Sequence, residues 1–208
     1  MTGSLVSPTT RQRVRDLATP IARGLGRLGL TPNALTVIGF TGTAVAAYAA
    51  ATQAWLAAAI LVLAFGIFDL FDGTLARATG RVSRFGAFLD STLDRAGEAV
   101  VYVGIAAGCM AAGFVLGAIL APLALAAAFM VSYTRAKAES LGFGTGSGLA
   151  SVGLAPREVR IVILVLGLLT AAGSSLDGLA LALLLIASLA TITTIQRILH
   201  VRGQSKEG

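Results

Sequence analysis

The sequence predicts an all-α integral membrane protein with six transmembrane helices preceded by an amphipathic helix in the membrane interface. Of its 208 residues, 56% are hydrophobic and only 12% are charged, whereas soluble domains carry about 25% charged residues. The sixteen Lys and Arg residues leave three long stretches without a basic residue: 28–76, 96–134 and 161–196. A transmembrane helix needs about 20 apolar residues, so six spans with short loops account for 1–208 as one membrane domain.

The N-terminal region, about residues 8–30, is expected to be the interfacial helix. Val14, Leu17 and Ile21 recur at helical spacing, with arginines elsewhere on the helical wheel. This pattern is typical of a helix that lies in the plane of the membrane surface. The five arginines scattered through residues 1–30 also argue against a cleaved signal peptide, which has a compact apolar region.

Six apolar segments follow between about residues 31 and 200. Pro32 after Thr31 indicates the first helix start, Gly113 indicates a short turn, and Gly142 opens a glycine- and serine-rich loop. Pro122 falls inside the fourth segment, where neighbouring helices can accommodate a proline. The expected spans are 34–51, 54–76, 85–110, 114–139, 156–172 and 178–200, and residues 201–208 are expected to be a flexible tail.

The distribution of basic residues predicts the orientation of the chain. With six spans, every basic cluster falls on one side of the membrane and the uncharged turns near residues 53, 112 and 175 fall on the other. Lys and Arg accumulate on the cytoplasmic side of membrane proteins, so both termini are expected there. The net charge of +6 is thereby explained by orientation, and no nucleic-acid partner is expected.

Four of the ten acidic residues lie close together at the cytoplasmic ends of the second and third spans: Asp69, Asp72, Asp90 and Asp94. Spacings of three and four place each pair on one helix face, and antiparallel helices would bring the pairs together. Ionisable residues at membrane depth are functional candidates by default. Oxygen-only ligands of high charge density suit Mg²⁺ or Mn²⁺.

Small residues and an arginine accompany these aspartates. Gly73 and Ala76 lie one turn beyond Asp69 and Asp72, so this face would admit a bulky ligand, and Arg77 offers planar paired donors for phosphate. Small residues also let membrane helices pack closely. Packing alone is therefore the alternative for each small residue.

The residues in order, Asp69-x2-Asp72-Gly73-x2-Ala76-Arg77-x8-Gly86-x3-Asp90-x3-Asp94, resemble the signature of the CDP-alcohol phosphatidyltransferase family without a departure. The resemblance implies an enzyme that displaces CMP from CDP-diacylglycerol with the hydroxyl of a second substrate. The implied ligands of two Mg²⁺ or Mn²⁺ ions are Asp69, Asp72, Asp90 and Asp94, with Asp94 also the general base. The implied CDP-lipid contacts are Asp69, Gly73, Ala76, Arg77 and Gly86.

A second group of residues at the cytoplasmic helix ends is expected to bind the phosphate of a phosphorylated polyol. Guanidinium groups bind phosphate in a bidentate manner. The alternative for each residue is a positive-inside anchor that reaches to lipid headgroups. The group consists of Ser132, Arg135, Arg157, Arg160 and Arg197.

The chain also resembles the actinobacterial phosphatidylinositol phosphate synthase branch of the family. The likeness rests on TPIARGLGRLGLTP at 19–32, the pair Arg157-x2-Arg160 and Gln196-Arg197. The chain departs from this branch at two places. Position 135 is commonly Lys in the branch but is Arg135 here, and the loop before Arg157 is usually acidic in the branch but is rich in Gly and Ser here. The likeness implies inositol phosphate as the acceptor, and glycerol phosphate or another alcohol remains the alternative.

Outside enzymes, the alternative is a divalent-cation transporter, because intramembrane carboxylates also line ion paths. Against it, the outer halves of the expected spans contain no carboxylate except Asp177 at a turn. A homodimer in the cell membrane is expected. The spacings Gly104-x3-Gly108 and Gly113-x3-Gly117 indicate helix packing within the chain or a dimer contact.

Overall fold

The computed structural model describes residues 19–22, 24–143 and 152–204. This part of the chain contains six long helices and no strand: α1 (Pro32–Ala51), α2 (Trp55–Ala78), α3 (Arg84–Ala111), α4 (Val115–Ser140), α5 (Arg157–Ala172) and α6 (Leu176–Gln204). Each of the six expected apolar segments is therefore a helix. The largest difference is at the end of α6, which runs to Gln204 instead of residue 200.

Parts of the expected N- and C-terminal segments can be compared with the structure. Residues 19–22 and 24–27 are helical, whereas 8–18 of the expected interfacial helix lie outside the described residues. Residues 205–208 of the expected tail also lie outside them. Residues 201–204 extend α6, so the expectation of a flexible tail is wrong there. The apolar run ends near residue 200, but nothing in the next residues forces the helical backbone to stop.

Local signals determine where the helices begin and end. The Thr31 hydroxyl accepts a hydrogen bond from the Ala34 N–H at 3.2 Å and caps α1. The Ser83 hydroxyl caps α3 in the same way, accepting from the Gly86 N–H at 2.9 Å. Because α2 includes Arg77 and α3 begins at Arg84, the connecting basic loop is shorter than expected.

The six helices contact one another as a closed ring, in the order α1, α2, α5, α6, α4, α3 and back to α1. Alanine predominates among the buried residues at the contacts, including Ala46, Ala50, Ala58, Ala121 and Ala124. Small residues let membrane helices approach closely, and close packing holds them together in lipid. The ring thus combines closely packed alanines with buried larger side chains such as Ile105, Leu168 and Leu183.

Two glycines that were candidates for a dimer contact pack against another helix of the same chain. A Cβ atom on Gly104 would lie 2.2 Å from the Ala47 carbonyl oxygen, and one on Gly108 would lie 2.1 Å from the Ala50 carbonyl oxygen. These residues therefore allow α3 to pack directly on the backbone of α1. A dimer contact through this pair is excluded by that packing.

Four helices, α1, α2, α4 and α6, are long and apolar enough to cross a membrane. The other two fall short for identifiable reasons: α5 has only 16 residues, and the C-terminal 18 residues of α3 still include Asp94, Arg95 and Glu98. The protein is a membrane protein by composition. Buried charged residues also lie on two of the four apolar helices, Asp72 on α2 and Arg197 on α6.

Candidate active site

The site residues predicted from the sequence lie together at one end of the helix bundle. Asp69 near the end of α2 and Asp94 near the start of α3 both contact Arg157 at the start of α5. Arg95 of α3 donates to the Ser132 hydroxyl near the end of α4 at 2.7 Å. We call this end the charged layer. Its aspartate half is Asp69, Asp72, Asp90 and Asp94, and its arginine half is Ser132, Arg135, Arg157, Arg160 and Arg197.

Arg157 joins the two halves. Its Nη2 lies 2.8 Å from Asp69 Oδ2, and its Nη1 lies 2.5 Å from Asp94 Oδ1. The three side chains are 25%, 19% and 20% exposed, respectively, so the ion pairs are largely shielded from water. One guanidinium on α5 thus links a carboxylate on α2 with a carboxylate on α3.

Asp72 is held by α1 and by its own helix. It is 5% exposed, and its Oδ2 accepts a hydrogen bond from the Thr36 hydroxyl at 2.8 Å. The Gly73 N–H donates to its other oxygen. A Cβ on Gly39 of α1 would lie 2.8 Å from Asp69 Oδ1, so α1 passes directly behind this half.

The aspartate half fits a divalent cation by its chemistry. Among the residues that the structure describes, no three acidic, histidine or cysteine side chains surround one point closely enough to hold a metal ion, and the guanidinium of Arg157 lies between two of the carboxylates. Asp72 and Asp90 form no ion pair within this same part of the chain. Negative charge therefore exceeds its local cations, which favours an added cation with oxygen ligands.

The expected CDP-lipid residues lie beside the aspartates. Arg77 is exposed, and its Nη1 lies 3.4 Å from the position that a Cβ on Gly73 would occupy. A Cβ on Gly86 would lie 3.2 Å from Asn33 Oδ1, so Gly86 sits tightly against α1. Ala76 is half-buried on α2. The small residues thus contribute to packing as well as to an open face around Arg77.

In the arginine half, Arg160 is committed to partners within the protein. It is 3% exposed, and its Nε and Nη2 donate to Glu98 Oε1 at 3.1 and 2.8 Å. Its Nη1 donates to the Ala155 carbonyl at 2.9 Å. Glu98 also accepts from Arg95 at 2.8 Å. Glu98 therefore pairs with two basic residues, Arg95 on its own helix and Arg160 on α5.

Arg197 and Arg135 differ strongly in exposure. Arg197 is 6% exposed and donates to the carbonyls of Val152, at 3.1 Å, and Val131. Arg135 is exposed and pairs with Glu139 at 2.8 Å one turn along the same helix. The charges of Arg135 and Arg160 both act on Arg197. The group therefore gathers as a positive cluster, although its buried members bind protein atoms.

Arg157 lines two small cavities. One is lined by Thr36, Asp69, Asp94 and other residues of the aspartate half. The other has a volume of about 40 Å³ and is lined by Glu98, Arg160 and apolar residues of the ring interior. Arg157 lines both cavities, and Arg95 connects the two groups of acids by contacting Asp94 at 3.6 Å and Glu98 at 2.8 Å.

Comparison with known proteins identifies the family. Residues 29–195 match the family described as CDP-alcohol phosphatidyltransferase. The chain belongs to the CDP-alcohol phosphatidyltransferase family. It is therefore a transferase, and the resemblance seen in the aspartate motif is confirmed. The transporter alternative loses its support, because the same carboxylates are accounted for by a transferase family.

Curated relatives of this family extend over nearly the whole chain. The chain is 38% identical over 198 residues to archaetidylinositol phosphate synthase of Pyrococcus horikoshii, covering 95% of this chain and 97% of the relative. It is 37% identical over 193 residues to phosphatidylinositol phosphate synthase of Cutibacterium acnes, covering 88% and 91%. The expected likeness to the actinobacterial branch is confirmed.

Solved structures of a family member share this fold. Phosphatidylinositol phosphate synthase of Mycobacterium tuberculosis with CDP-DAG bound superposes with a TM-score of 0.75 at 32% identity, covering 89% of this chain and 94% of the other. The same enzyme in complex with manganese and citrate gives a TM-score of 0.76, covering 88% of each chain. A family member of the same fold has thus been crystallised with a divalent metal.

Sequence reasoning missed two polar residues of this transferase site. Thr36 shares its apolar span with two other threonines, Thr41 and Thr43, and its 36-residue separation from Asp72 gave no local signal. Arg95 follows Asp94 within the signature and contacts it at 3.6 Å. The signal for Arg95 was that it is the one basic residue in the expected third span, 85–110.

Proposed function

We propose that this transferase moves a phosphatidyl group from CDP-diacylglycerol to a hydroxyl of inositol phosphate and releases CMP. The observation that carries the proposal is the meeting of acidic and basic residues at Arg157, which contacts Asp69 and Asp94. The relatives add support, because the Pyrococcus and Cutibacterium enzymes are both named as synthases of an inositol phosphate lipid. The Mycobacterium structure with CDP-DAG supports the lipid donor.

In this proposal, Asp69, Asp72, Asp90 and Asp94 hold two divalent ions, Mg²⁺ or Mn²⁺. Such ions would neutralise charge on the pyrophosphate of the CDP-lipid and stabilise the entering and leaving oxygens. The excess of carboxylates over local cations supports this assignment. Thr36, which donates to Asp72 at 2.8 Å, would fix the orientation of one ligand.

Asp94 acts as the general base. Its carboxylate takes the proton of the acceptor hydroxyl while the hydroxyl oxygen forms a bond to the phosphorus that carries diacylglycerol. The bond between this phosphorus and the CMP oxygen breaks, and CMP leaves with the electron pair. The neighbouring cations Arg157 and Arg95, at 2.5 and 3.6 Å, hold the carboxylate in place.

Gly73, Ala76, Arg77 and Gly86, together with Asp69, bind the CDP portion of the lipid. The exposed guanidinium of Arg77 over the Gly73 backbone supports a phosphate contact, because an arginine presents paired donors to phosphate oxygens. Gly86 keeps α3 close to Asn33 of α1. This half would therefore combine a charged contact with a surface free of bulky side chains.

The arginine half binds the phosphate of the acceptor. Arg157 is placed beside Asp94, so a phosphate held by it would bring the acceptor hydroxyl near the base. Arg135 is the exposed member of the group, whereas Arg160, Arg197 and Ser132 line its buried side. Four guanidinium groups in this half supply the planar paired donors that bind phosphate.

We further infer that residues 1–208 form one domain of six spans, with an interfacial helix at about 8–30, in the cell membrane. The alternation of basic and uncharged loops supports a cytoplasmic active site and cytoplasmic termini. A homodimer would use a surface other than Gly104 and Gly108, because both pack against α1.

A radiolabelled CDP-diacylglycerol assay tests the proposal. Purified protein in Mg²⁺ or Mn²⁺ is offered inositol phosphate, glycerol phosphate, serine and free inositol in separate reactions, and CMP and the lipid product are measured. We expect product with inositol phosphate and none above background with free inositol, which lacks the phosphate. Preferential use of glycerol phosphate or serine would overturn the acceptor assignment, and CMP release that persists in EDTA would overturn the metal assignment.

A further inference from the structure

The short segment 152–155 leads into α5 and is held by side chains instead of by regular secondary structure. The Thr193 hydroxyl of α6 accepts hydrogen bonds from the Leu154 N–H at 3.0 Å and the Ala155 N–H at 3.1 Å. It donates to the Leu189 carbonyl at 2.8 Å. A hydroxyl has one donor and two acceptor positions, so Thr193 uses all three.

Two arginines hold the carbonyls of the same segment. Arg197 Nε donates to the Val152 carbonyl at 3.1 Å, and Arg160 Nη1 donates to the Ala155 carbonyl at 2.9 Å. Thr193 and Arg197 are four residues apart and so lie on one face of α6. When the two bonds to Thr193 are included, side chains bind four backbone polar groups between residues 152 and 155.

Gly153 lets the segment lie directly on Thr193. Its φ is +124°, a conformation that side chains rarely allow, and a Cβ there would lie 2.2 Å from Thr193 Cγ2. Thr193 itself is 0% exposed. The segment therefore has one defined position on α6 that depends on this threonine.

That position is transmitted to Arg157. Only Pro156 separates Ala155 from Arg157, and Pro156 immediately precedes α5 with φ −60° and ψ 163°. A proline ring fixes φ, so little freedom remains between the residue that Thr193 holds and the arginine that reaches Asp69 and Asp94. Movement of residues 154 and 155 would therefore move the start of α5.

We propose that Thr193 is a positioning residue: by holding segment 152–155 on α6, it sets the location of Arg157 and thereby the affinity for the phosphate of the acceptor. The second half of this statement rests on the proposed function, in which Arg157 binds that phosphate. The first half is a property of the fold and is measurable without any substrate. Thr193 does not touch the reacting atoms.

The test replaces Thr193 with valine, which keeps the shape but removes both acceptors of the Leu154 and Ala155 amides. Amide hydrogen exchange across 152–157 and the KM values for inositol phosphate and CDP-diacylglycerol are measured on the full-length protein with bound metal. We expect exchange to become about 10- to 100-fold faster, the effect of losing two hydrogen bonds. We expect the KM for inositol phosphate to rise by about tenfold while that for CDP-diacylglycerol is unchanged.

The next residue supplies a matched control. Thr194 is also buried, at 8% exposure, but its hydroxyl donates only along its own helix, to the Ala190 carbonyl at 3.0 Å. Thr194→Val should leave exchange in 152–157 and both KM values unchanged, and Thr193→Ser should restore most of the wild-type behaviour because it retains the hydroxyl. Unchanged exchange elsewhere in α5 and α6 shows that each variant is folded.

The outcomes separate this proposal from the proposed function. Equal exchange rates in Thr193→Val and Thr194→Val would overturn the proposal, as would faster exchange without a change in the KM of the acceptor that the wild-type protein uses. A wild-type protein that uses an acceptor other than inositol phosphate would overturn the proposed function. The Thr193 proposal would then be decided by exchange and by the KM for that acceptor.

Discussion

The aspartate half and the arginine half of the charged layer are built in different ways. The four aspartates come from two helices, at spacings of three and four residues, and α1 supports them from behind. The arginine half draws on three helices and on segment 152–155, and its buried members donate to protein atoms. The aspartates thus carry negative charge that nearby cations do not fully compensate, which favours binding of a metal ion. The arginines both attract an anion and stabilise the fold.

The largest expected effect is on the aspartate half. Asp94→Asn should reduce CMP release by about 10²–10⁴-fold, the usual contribution of a general base, because asparagine cannot accept the acceptor's proton. Initial rates with CDP-diacylglycerol and inositol phosphate, together with a thermal unfolding scan, measure this. Asp177→Asn, at the exposed start of α6, is the control and should retain full activity. Undiminished turnover of Asp94→Asn would remove the base assignment.

The protein should lose stability when Glu98, the buried acidic partner of Arg160 in the arginine half, is replaced by a neutral residue. Glu98, whose side chain is 9% exposed, pairs with Arg160, which is 3% exposed. Glu98→Gln should lower the free energy of unfolding by about 3–5 kcal/mol, because two guanidinium groups lose their buried counter-ion. Denaturant or thermal unfolding in detergent measures the change.

Glu139 provides the matched comparison for Glu98. It forms the same type of pair with Arg135, but the two side chains are 53% and 50% exposed. Glu139→Gln should change stability by no more than about 0.5 kcal/mol. Similar losses in the two variants would contradict the structural role given to the Glu98 network.

Arg157 belongs to both halves, and its removal should distinguish the two substrates. Arg157→Ala should raise the KM for inositol phosphate by about 10- to 100-fold, the effect of one charged hydrogen-bonding contact, and change the KM for CDP-diacylglycerol less. Steady-state kinetics with each substrate varied in turn give both values. Arg81→Ala, in the exposed loop before α3, should alter neither value. Equal effects of Arg157→Ala on the two substrates would rule out a separate acceptor site.

The smallest expected effect tests the support that α1 gives to the aspartates. Thr36→Val should weaken Mn²⁺ binding by about tenfold, because Asp72 loses the hydrogen bond that orients it. Electron paramagnetic resonance of free Mn²⁺ during a titration measures this without turnover. Thr41→Val is the control, since that hydroxyl is exposed and donates only to the Val37 carbonyl at 2.9 Å. Equal Mn²⁺ affinity of Thr36→Val and Thr41→Val would contradict the orienting role.

The sequence predicted the features that depend on residues close together along the chain. The six helices follow from apolar runs and caps, and the convergence of Asp69 and Asp94 follows from spacing on two consecutive helices. The partners in the arginine half could not be predicted in this way. Glu98 lies 62 residues from Arg160, and the carbonyls that bind Arg197 lie 45 and 66 residues away. Such pairs are decided by how the ring closes.

The shortness of α5 has a consequence for access. Its 16 residues span about 24 Å at 1.5 Å per residue, roughly 6 Å less than the hydrocarbon core of a bilayer, about 30 Å. In the proposed orientation, with the outer end of α5 at the outer boundary, the start of α5 would lie about one helical turn below the cytoplasmic boundary. A lipid could then present its head group by sideways diffusion within its own leaflet. A water-soluble acceptor would have to descend into a hydrated depression, whose depth is set by the number of residues in a single helix.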